Sequence, residues 1–317
     1  MSFLSTKLLV AVLTLFAVLT FNFFLFRLAG NPIDDLLQKH LTLAARRQLI
    51  HERGLDRSEL TQFRIYMDDL AHGNLGTSFA TGHTVSHELE QALPNTILLV
   101  GTANILAALI GTWLGVIAGS RRRSRSDTAI TQGSLMLYSM PEYWLGMILI
   151  ETLAVGLRLF PTDQKSDPGA VLSPLAYDWN VAQHAALPVL TLTLSLLGMY
   201  AVIMRSSLSE VLDEDFMMTA KAIGLPRHRV RRHGVRNALL PVVTLAGLNV
   251  GFVVAGAVTV EAIFSWPGLG ELTYKAIQTK DFPVLQGVFL LTAAAVVLFN
   301  FLTDLLYAYL DPRVRNS

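Results

Sequence analysis

The chain has 317 residues, 52% of them hydrophobic and only 15% charged, with a mean hydropathy of +0.46. A soluble domain carries about 25% charged residues, so this balance excludes an ordinary water-soluble globule and points to a membrane protein. The net charge of +1 decides nothing, and the absence of cysteine excludes disulfides, thiolate chemistry and cysteine-held zinc or iron–sulfur sites while leaving the redox compartment open.

A membrane span needs roughly 20 mostly apolar residues at about 1.5 Å rise each. Six stretches qualify: residues 8–28, 96–119, 129–157, 184–204, 238–264 and 284–306. The first follows Lys7. Its apolar run exceeds the roughly 7–15 residues of a secretory signal core, and no small-x-small cleavage site follows, so it reads as a retained anchor. Residues 29–94 then form a loop with six Lys/Arg against nine Asp/Glu, and with His40, His51, His72, His83 and His87. His83 and His87 are four apart and share a face if helical, a geometry that can hold a metal; solvated loop histidines are the alternative.

The second span carries Gly101, Ala103, Ala107, Ala108, Gly111 and Gly115, and the fifth Gly247, Gly251, Ala255 and Gly256. Such residues favour close helix packing, with a substrate contact as the sharper reading. Pro141 interrupts the third span and predicts a kink or break there, tolerated within a bilayer only where protein or a wet cavity satisfies the freed carbonyls. After the fourth span comes a long basic loop. Asp213, Glu214 and Asp215 suit a helix start, Gly224 and Pro226 a turn, and a second helix is predicted from near Arg227 into the fifth span, kinked at Pro241. Between the fifth and sixth spans, Pro267 and Gly268 form a turn or, on the sharper reading, shape a gate near Glu261.

Lys and Arg concentrate in Arg121–Arg123 and Arg125, in the loop from Arg205 to Arg236, and in the tail at Arg313 and Arg315. With six spans these places and the N-terminus lie on one side, and the positive-inside rule makes that side the cytoplasm. The predicted fold is an all-α integral membrane protein with six transmembrane helices and both termini cytoplasmic. No phosphate-cradling Gly-x-x-x-x-Gly-Lys-Ser/Thr, no His-Glu-x-x-His and no Gly-x-Ser-x-Gly occurs. Polar residues within the spans are scattered (Asn22, Asn104, Asn249, Asn300, Glu151, Glu261, Asp304), which gives a membrane-embedded enzyme little support. The basic stretch 221–241 admits three readings: lipid headgroups as partners, nucleic acid without any supporting fold or aromatic platform, or a docking knob for a cytoplasmic protein.

Thr219-Ala220-Lys221-Ala222-Ile223-Gly224 with Leu240-Pro241 resembles the EAA loop of ABC importer permeases, Thr219 standing where the name-giving Glu would be. Other stretches extend the likeness in order along nearly the whole chain. They are Arg27 to Pro32 with Asn31 in place of Asp, Gly73 to Ser78, Leu93-Pro94-Asn95-Thr96, Ser139 to Trp144, Leu187-Pro188, Arg205-Ser206-Ser207, Glu261 to Gly270, Lys280 to Pro283, Asp304 to Tyr307 and Asp311-Pro312-Arg313.

The resemblance is to the peptide/nickel branch and implies a type I ABC importer permease fold. It implies a first region 1–95 with an anchor helix and external loop, and a core 96–317 whose coupling loop covers about 205–241. It implies ATPase coupling through Thr219, Ala220, Lys221, Gly224, Leu225 and Pro241. A translocation pathway or gate is expected near Pro141, Asn249, Glu261, Pro267 and Gly268. The expected partners are a second homologous permease, two ATP-binding subunits, an extracytoplasmic solute-binding protein and membrane lipids, without nucleic acid. ATP and Mg belong to the partners and no cofactor to this chain. The setting is the bacterial cytoplasmic membrane, and the cargo is di- or oligopeptides, with nickel or a metal chelate as the alternative. An exporter or passive channel remains a rival, separable by pull-down with an ATPase and a second permease.

Overall fold

The computed structural model describes residues 3–28, 57–169, 171–253 and 257–310. The stretch Ala29–Pro32, His40, His51, Ala255, Gly256 and Asp311–Arg313 lie outside the described residues, as do the side chains of Arg27, Asp304 and Tyr307. Among the described residues every regular element is helical, with one isolated antiparallel bridge between Thr77 and Thr84. The helices are α1 (Phe3–Leu28), α2 (Glu59–Ala71), α3 (Val85–Thr96), α4 (Thr102–Ser120), α5 (Arg125–Ser139), α6 (Glu142–Leu149), α7 (Pro174–Val211), α8 (Asp215–Ala222), α9 (Arg227–Ala238), α10 (Leu240–Val253), α11 (Val258–Ile263), α12 (Leu269–Thr279) and α13 (Phe282–Leu310). A π-helical turn at Ile97–Gly101 joins α3 to α4, and another at Ile150–Gly156 follows α6.

Four helices are long and apolar enough to cross a bilayer among the described residues: Lys7–Leu25, Val85–Ser120, Pro174–Val211 and Phe282–Leu302. Two differences from the sequence expectation, and one break that it foresaw, follow from proline chemistry. The second span begins at Val85, because the helix runs through Pro94 and the π turn takes up the distortion three residues later. The fourth begins at Pro174, a first-turn proline whose missing N–H costs a helix start nothing. The third is broken: Met140 and Pro141 are extended (ψ 132° and 130°), since a residue preceding proline is driven out of the helical region. The Pro141 carbonyl then accepts the N–H groups of Trp144 and Leu145 and restarts the helix as α6. In the fifth stretch a break at Leu239 precedes α10.

The chain forms two compact units, one of Met1–Pro94 with Glu271–Ser317 and one of Asn95–Gly270. In the first, α1 packs along α13, and the buried Asn22 donates to the Gln286 carbonyl. Phe23 anchors a ring cluster with Phe24, Phe63 and Tyr66. The buried Asp281 carboxylate accepts the Ser78 hydroxyl and the Ala80 N–H, which fastens the 73–80 loop to the start of α13.

In the second unit α4 lies along α7, and α5 packs on α7 as well. Gly111, Gly115 and Gly119 make the α4–α7 approach: a Cβ would stand 2.7 Å from the Leu197 carbonyl oxygen, 2.6 Å from that of Ala201 and 3.0 Å from that of Arg205. Helix packing therefore accounts for Gly111 and Gly115, whereas Gly101 has no neighbour that a side chain would meet. One apolar core gathers Leu99, Ala103, Leu187, Leu192, Val260, Phe264 and Trp266, and another Ala107, Tyr200, Met204, Leu208, Ala238 and Val242.

Candidate functional site

The basic loop folds as two short helices around Gly224. Helix α8 is stopped by a reciprocal C-cap: the Leu225 N–H reaches the Ala220 carbonyl (3.2 Å) and the Gly224 N–H reaches that of Lys221 (3.1 Å). This arrangement needs a left-handed residue at its centre, and Gly224 supplies it with φ +78°. A Cβ at Gly224 would meet nothing in this chain, so here the turn alone demands glycine. Pro226 pre-sets the N-cap of α9 and its carbonyl accepts the Arg229 and Val230 N–H groups. Val230, Gly234 and Ala238 recur every fourth residue and are buried, whereas Arg229, Arg231, Arg232 and Arg236 are exposed. Gly234 lets α9 close on Leu208, Leu212 and Met217.

Met217 is fully buried and fixes the inward face of α8. Beside it, Phe216, Thr219, Ala220 and Ile223 follow a spacing of three and four residues that puts all four on one side. Phe216 is 46% and Ile223 71% exposed, so this short helix leaves apolar side chains that the chain itself does not cover. The sequence pointed to Ala220, Gly224 and Leu225; Phe216 and Ile223 complete the face, and their i, i+7 spacing across Thr219 was the available signal. Pro241 is exposed, just beyond the break at Leu239 that separates α9 from α10.

Two ion pairs brace the loop. Arg205 grips the buried Asp127 in bidentate fashion, Nε to Oδ1 at 2.8 Å and Nη2 to Oδ2 at 2.9 Å. The Arg205 guanidinium, helped by the Arg123 N–H, holds the Asp127 carboxyl at about 2 against the opposing effect of burial. Arg122 reaches Asp213 at 2.6 Å and links the turn after α4 to the end of α7.

The corner between α11 and α12 collects a second group of predicted residues. Glu261 has no exposed surface. Its carboxylate accepts the Thr96 hydroxyl (2.9 Å) and the Gly270 N–H (2.7 Å), while the Leu269 N–H donates to Thr96 Oγ1 (2.7 Å). Thr96 and Glu261 thus cap the positive N-terminus of α12 from outside the helix. Asn95 Nδ2 donates to the Pro267 carbonyl, its Oδ1 accepts Lys165, and its own carbonyl accepts the buried Trp266 indole. A Cβ on Gly268 would collide with the Glu261 carboxylate and the Thr96 hydroxyl. Two motifs separated by 165 residues are one hydrogen-bonded object.

Asn249 also gains partners: its Nδ2 donates to the Tyr200 hydroxyl (3.0 Å), which donates to Asn104 Oδ1 (2.7 Å), tying α4, α7 and α10 together. His83 and His87 lie with ring centroids 5.5 Å apart, and His83 is 3.4 Å from Glu88; no cluster of three or more metal-binding groups occurs among the described residues.

A chain that is helical throughout its described regular elements, with four apolar helices long enough to cross a bilayer, has the make-up of a multi-pass membrane protein. The chain belongs to the family of binding-protein-dependent transport system inner membrane components, which residues 111–316 match. It is 37% identical to the di/tripeptide transport system permease protein DppB of Pseudomonas aeruginosa (strain UCBPP-PA14), over 100% of this chain and 99% of that protein. It is 36% identical to the oligopeptide transport system permease protein AppB of Bacillus subtilis (strain 168), over 90% of each. To the dipeptide transport system permease protein DppB of Escherichia coli (strain K12) the identity is 37%, over 95% of this chain and 94% of that one. The chain is therefore a multi-pass permease of the bacterial inner membrane.

Proposed function

We propose that this chain forms one half of the channel of an ABC importer for di- or oligopeptides and couples transport to ATP hydrolysis on partner subunits through α8. It crosses the membrane six times with both termini inside, the broken third and fifth stretches counting as spans. A second homologous permease completes the pore, two ATP-binding subunits dock inside, and an extracytoplasmic solute-binding protein delivers the peptide. ATP and Mg stay on the ATPases. The observation that carries this reading is the apolar face of Phe216, Thr219, Ala220 and Ile223, held out by the Gly224 cap and braced on α9. The full-length similarity to peptide permeases supports the cargo class.

Closure of the ATPase pair pushes α8. Through Met217 and Gly234 the push passes to α9, and across the Leu239 break into α10. The test is peptide uptake into proteoliposomes holding the complete importer. Gly224→Asp retains a residue that tolerates left-handed geometry but places a carboxylate at the docking tip. It is expected to leave membrane insertion intact and abolish uptake; normal uptake would sink the docking role.

A further inference from the structure

Behind the α8–α9 turn lies a cavity of about 610 Å³, distinct from the apolar outer face of α8. Its lining is Ser120 and Arg121 from the end of α4, Leu212 from the end of α7, Lys221 and Leu225 at the turn, and His228, Val230 and Arg231 from α9. Every titratable group in that lining is basic. Two acids of the surrounding loops are already engaged, Asp213 by Arg122 and Asp127 by Arg205, and no acid lines the cavity. Arg121, His228 and Arg231 form no ion pair among the described residues, and Lys221 makes only a long contact of 3.4 Å to the Leu212 carbonyl. The carbonyl end of α4 attracts positive charge, but a helix terminus is equivalent to only about half a charge, which three or four cations exceed. The Ser120 hydroxyl, in the same wall, is buried without a hydrogen-bond partner. The α9 N-terminus faces the turn with no side-chain cap, since Pro226 has no acceptor to offer.

We propose that this cavity binds a phosphate-ester anion, with Arg121 and Arg231 as the charged clasp, Lys221 and His228 beside them and the Ser120 hydroxyl as a further donor. Leu212, Leu225 and Val230 give the cavity an apolar wall that a lipid glycerol backbone would cover and a bare ion would not. The same chemistry belongs to an anionic phospholipid headgroup and to free phosphate. Because Lys221 and Leu225 belong to both the cavity and the turn, an anion bound there stiffens the α8–α9 hinge. The site itself stands independently of ATPase docking.

The test is native mass spectrometry of the importer purified in detergent, titrated with phosphatidylglycerol, with phosphatidylcholine as the zwitterionic comparison. Losing two charge-assisted contacts should lower phosphatidylglycerol retention in Arg121→Gln/Arg231→Gln by about tenfold or more. Arg229→Gln/Arg232→Gln removes the same amount of charge, from α9 outside the cavity lining, and should retain the lipid as the unaltered protein does. Ser120→Ala, which breaks no side-chain hydrogen bond within the chain, should give a smaller loss in the same direction. Displacement of the lipid by millimolar inorganic phosphate would assign the site to free phosphate as well as headgroups; resistance to it would assign the site to the headgroup alone. Equal losses in the two arginine pairs, or equal retention of phosphatidylcholine, would overturn the proposal, since the charge would then be acting diffusely.

Discussion

Gly224 and Gly268 both sit at sharp corners of the second unit, yet they are glycines for opposite reasons. Gly224 is left-handed with open space around it, whereas Gly268 is packed so closely on Glu261 and Thr96 that a single added carbon has no room. The surroundings differ in the same sense. The Gly268 corner is finished: its helix N-terminus is capped, the Trp266 indole has a partner, and the Glu261 carboxylate is buried with donors. The Gly224 corner is finished only on its inner side, through Met217 and Val230, and leaves Phe216 and Ile223 in solvent. A corner complete in itself holds shape, while a corner with an unburied apolar face holds shape for something else. We propose that the Gly268 corner is a fixed brace and that motion passes through the α8–α9 side; a gate at Pro267 and Gly268 is the rival that the variants below separate from it.

The sharpest way to break this contrast is to charge the open face. Phe216→Asp with Ile223→Asp removes two apolar contacts worth about 1.5–3 kcal/mol each, enough for a loss of roughly a hundredfold or more in ATPase retention. Co-purification of the ATPase subunits should fail while the chain still inserts and runs as a single species. Undiminished co-purification would show that the exposed stripe is not the contact. Next in size is Gly268→Ala. Overpacking of this kind typically costs about 1–3 kcal/mol, so the yield and thermal midpoint of the importer should fall, and by more than the backbone term alone takes from Gly224→Ala. Glu261→Gln removes the charge that faces the α12 N-terminus while keeping an acceptor. Uptake and complex yield should therefore fall together by a factor set by about 1 kcal/mol; uptake lost at full yield would restore the gate reading.

Smaller still is the backbone term at Gly224. Placing alanine in a left-handed position costs about 1–2 kcal/mol, and asparagine less. Uptake by Gly224→Asn should therefore exceed that of Gly224→Ala if conformation alone matters, and both should fail if the partner also needs the space.

How far each corner was legible from sequence follows the same division. Gly224, Pro226 and Pro241 announce themselves because local backbone chemistry is written in single residues, and the α8–α9 break appears where they predict it. Pro141 likewise marks a real interruption. The partnership of Thr96 with Glu261, the bridge of Tyr200 between Asn104 and Asn249, and the clasp of Arg205 on Asp127 left no such trace. Each joins residues many turns apart, and in an apolar span a lone polar residue shows that it needs a partner without showing which one. The start of the second span at Val85 was hidden by Pro94, which ordinarily argues against a continuing helix but is absorbed here by a π turn.

The Asp127–Arg205 clasp offers the finest test, because its contribution can be switched without touching either glycine. Asp127 is 3% exposed and its carboxyl is held at about 2, below the ordinary value of 3.8, chiefly by the Arg205 hydrogen bonds. A depressed carboxyl pKa means that the folded form binds fewer protons than the unfolded one. The stabilisation is therefore complete above about pH 4 and is lost as pH falls toward about 2. Asp127→Asn cannot supply it at any pH. The thermal midpoint of the unaltered importer in detergent should stand above that of Asp127→Asn by a constant margin from about pH 5 to 8, and the two should converge between about pH 4 and 2. Because this pair braces the ends of α5 and α7 behind the loop, the margin should persist in Phe216→Asp/Ile223→Asp, where docking is gone. A margin that vanished with docking would place the clasp in the open, partner-dependent corner instead of in the frame that supports it.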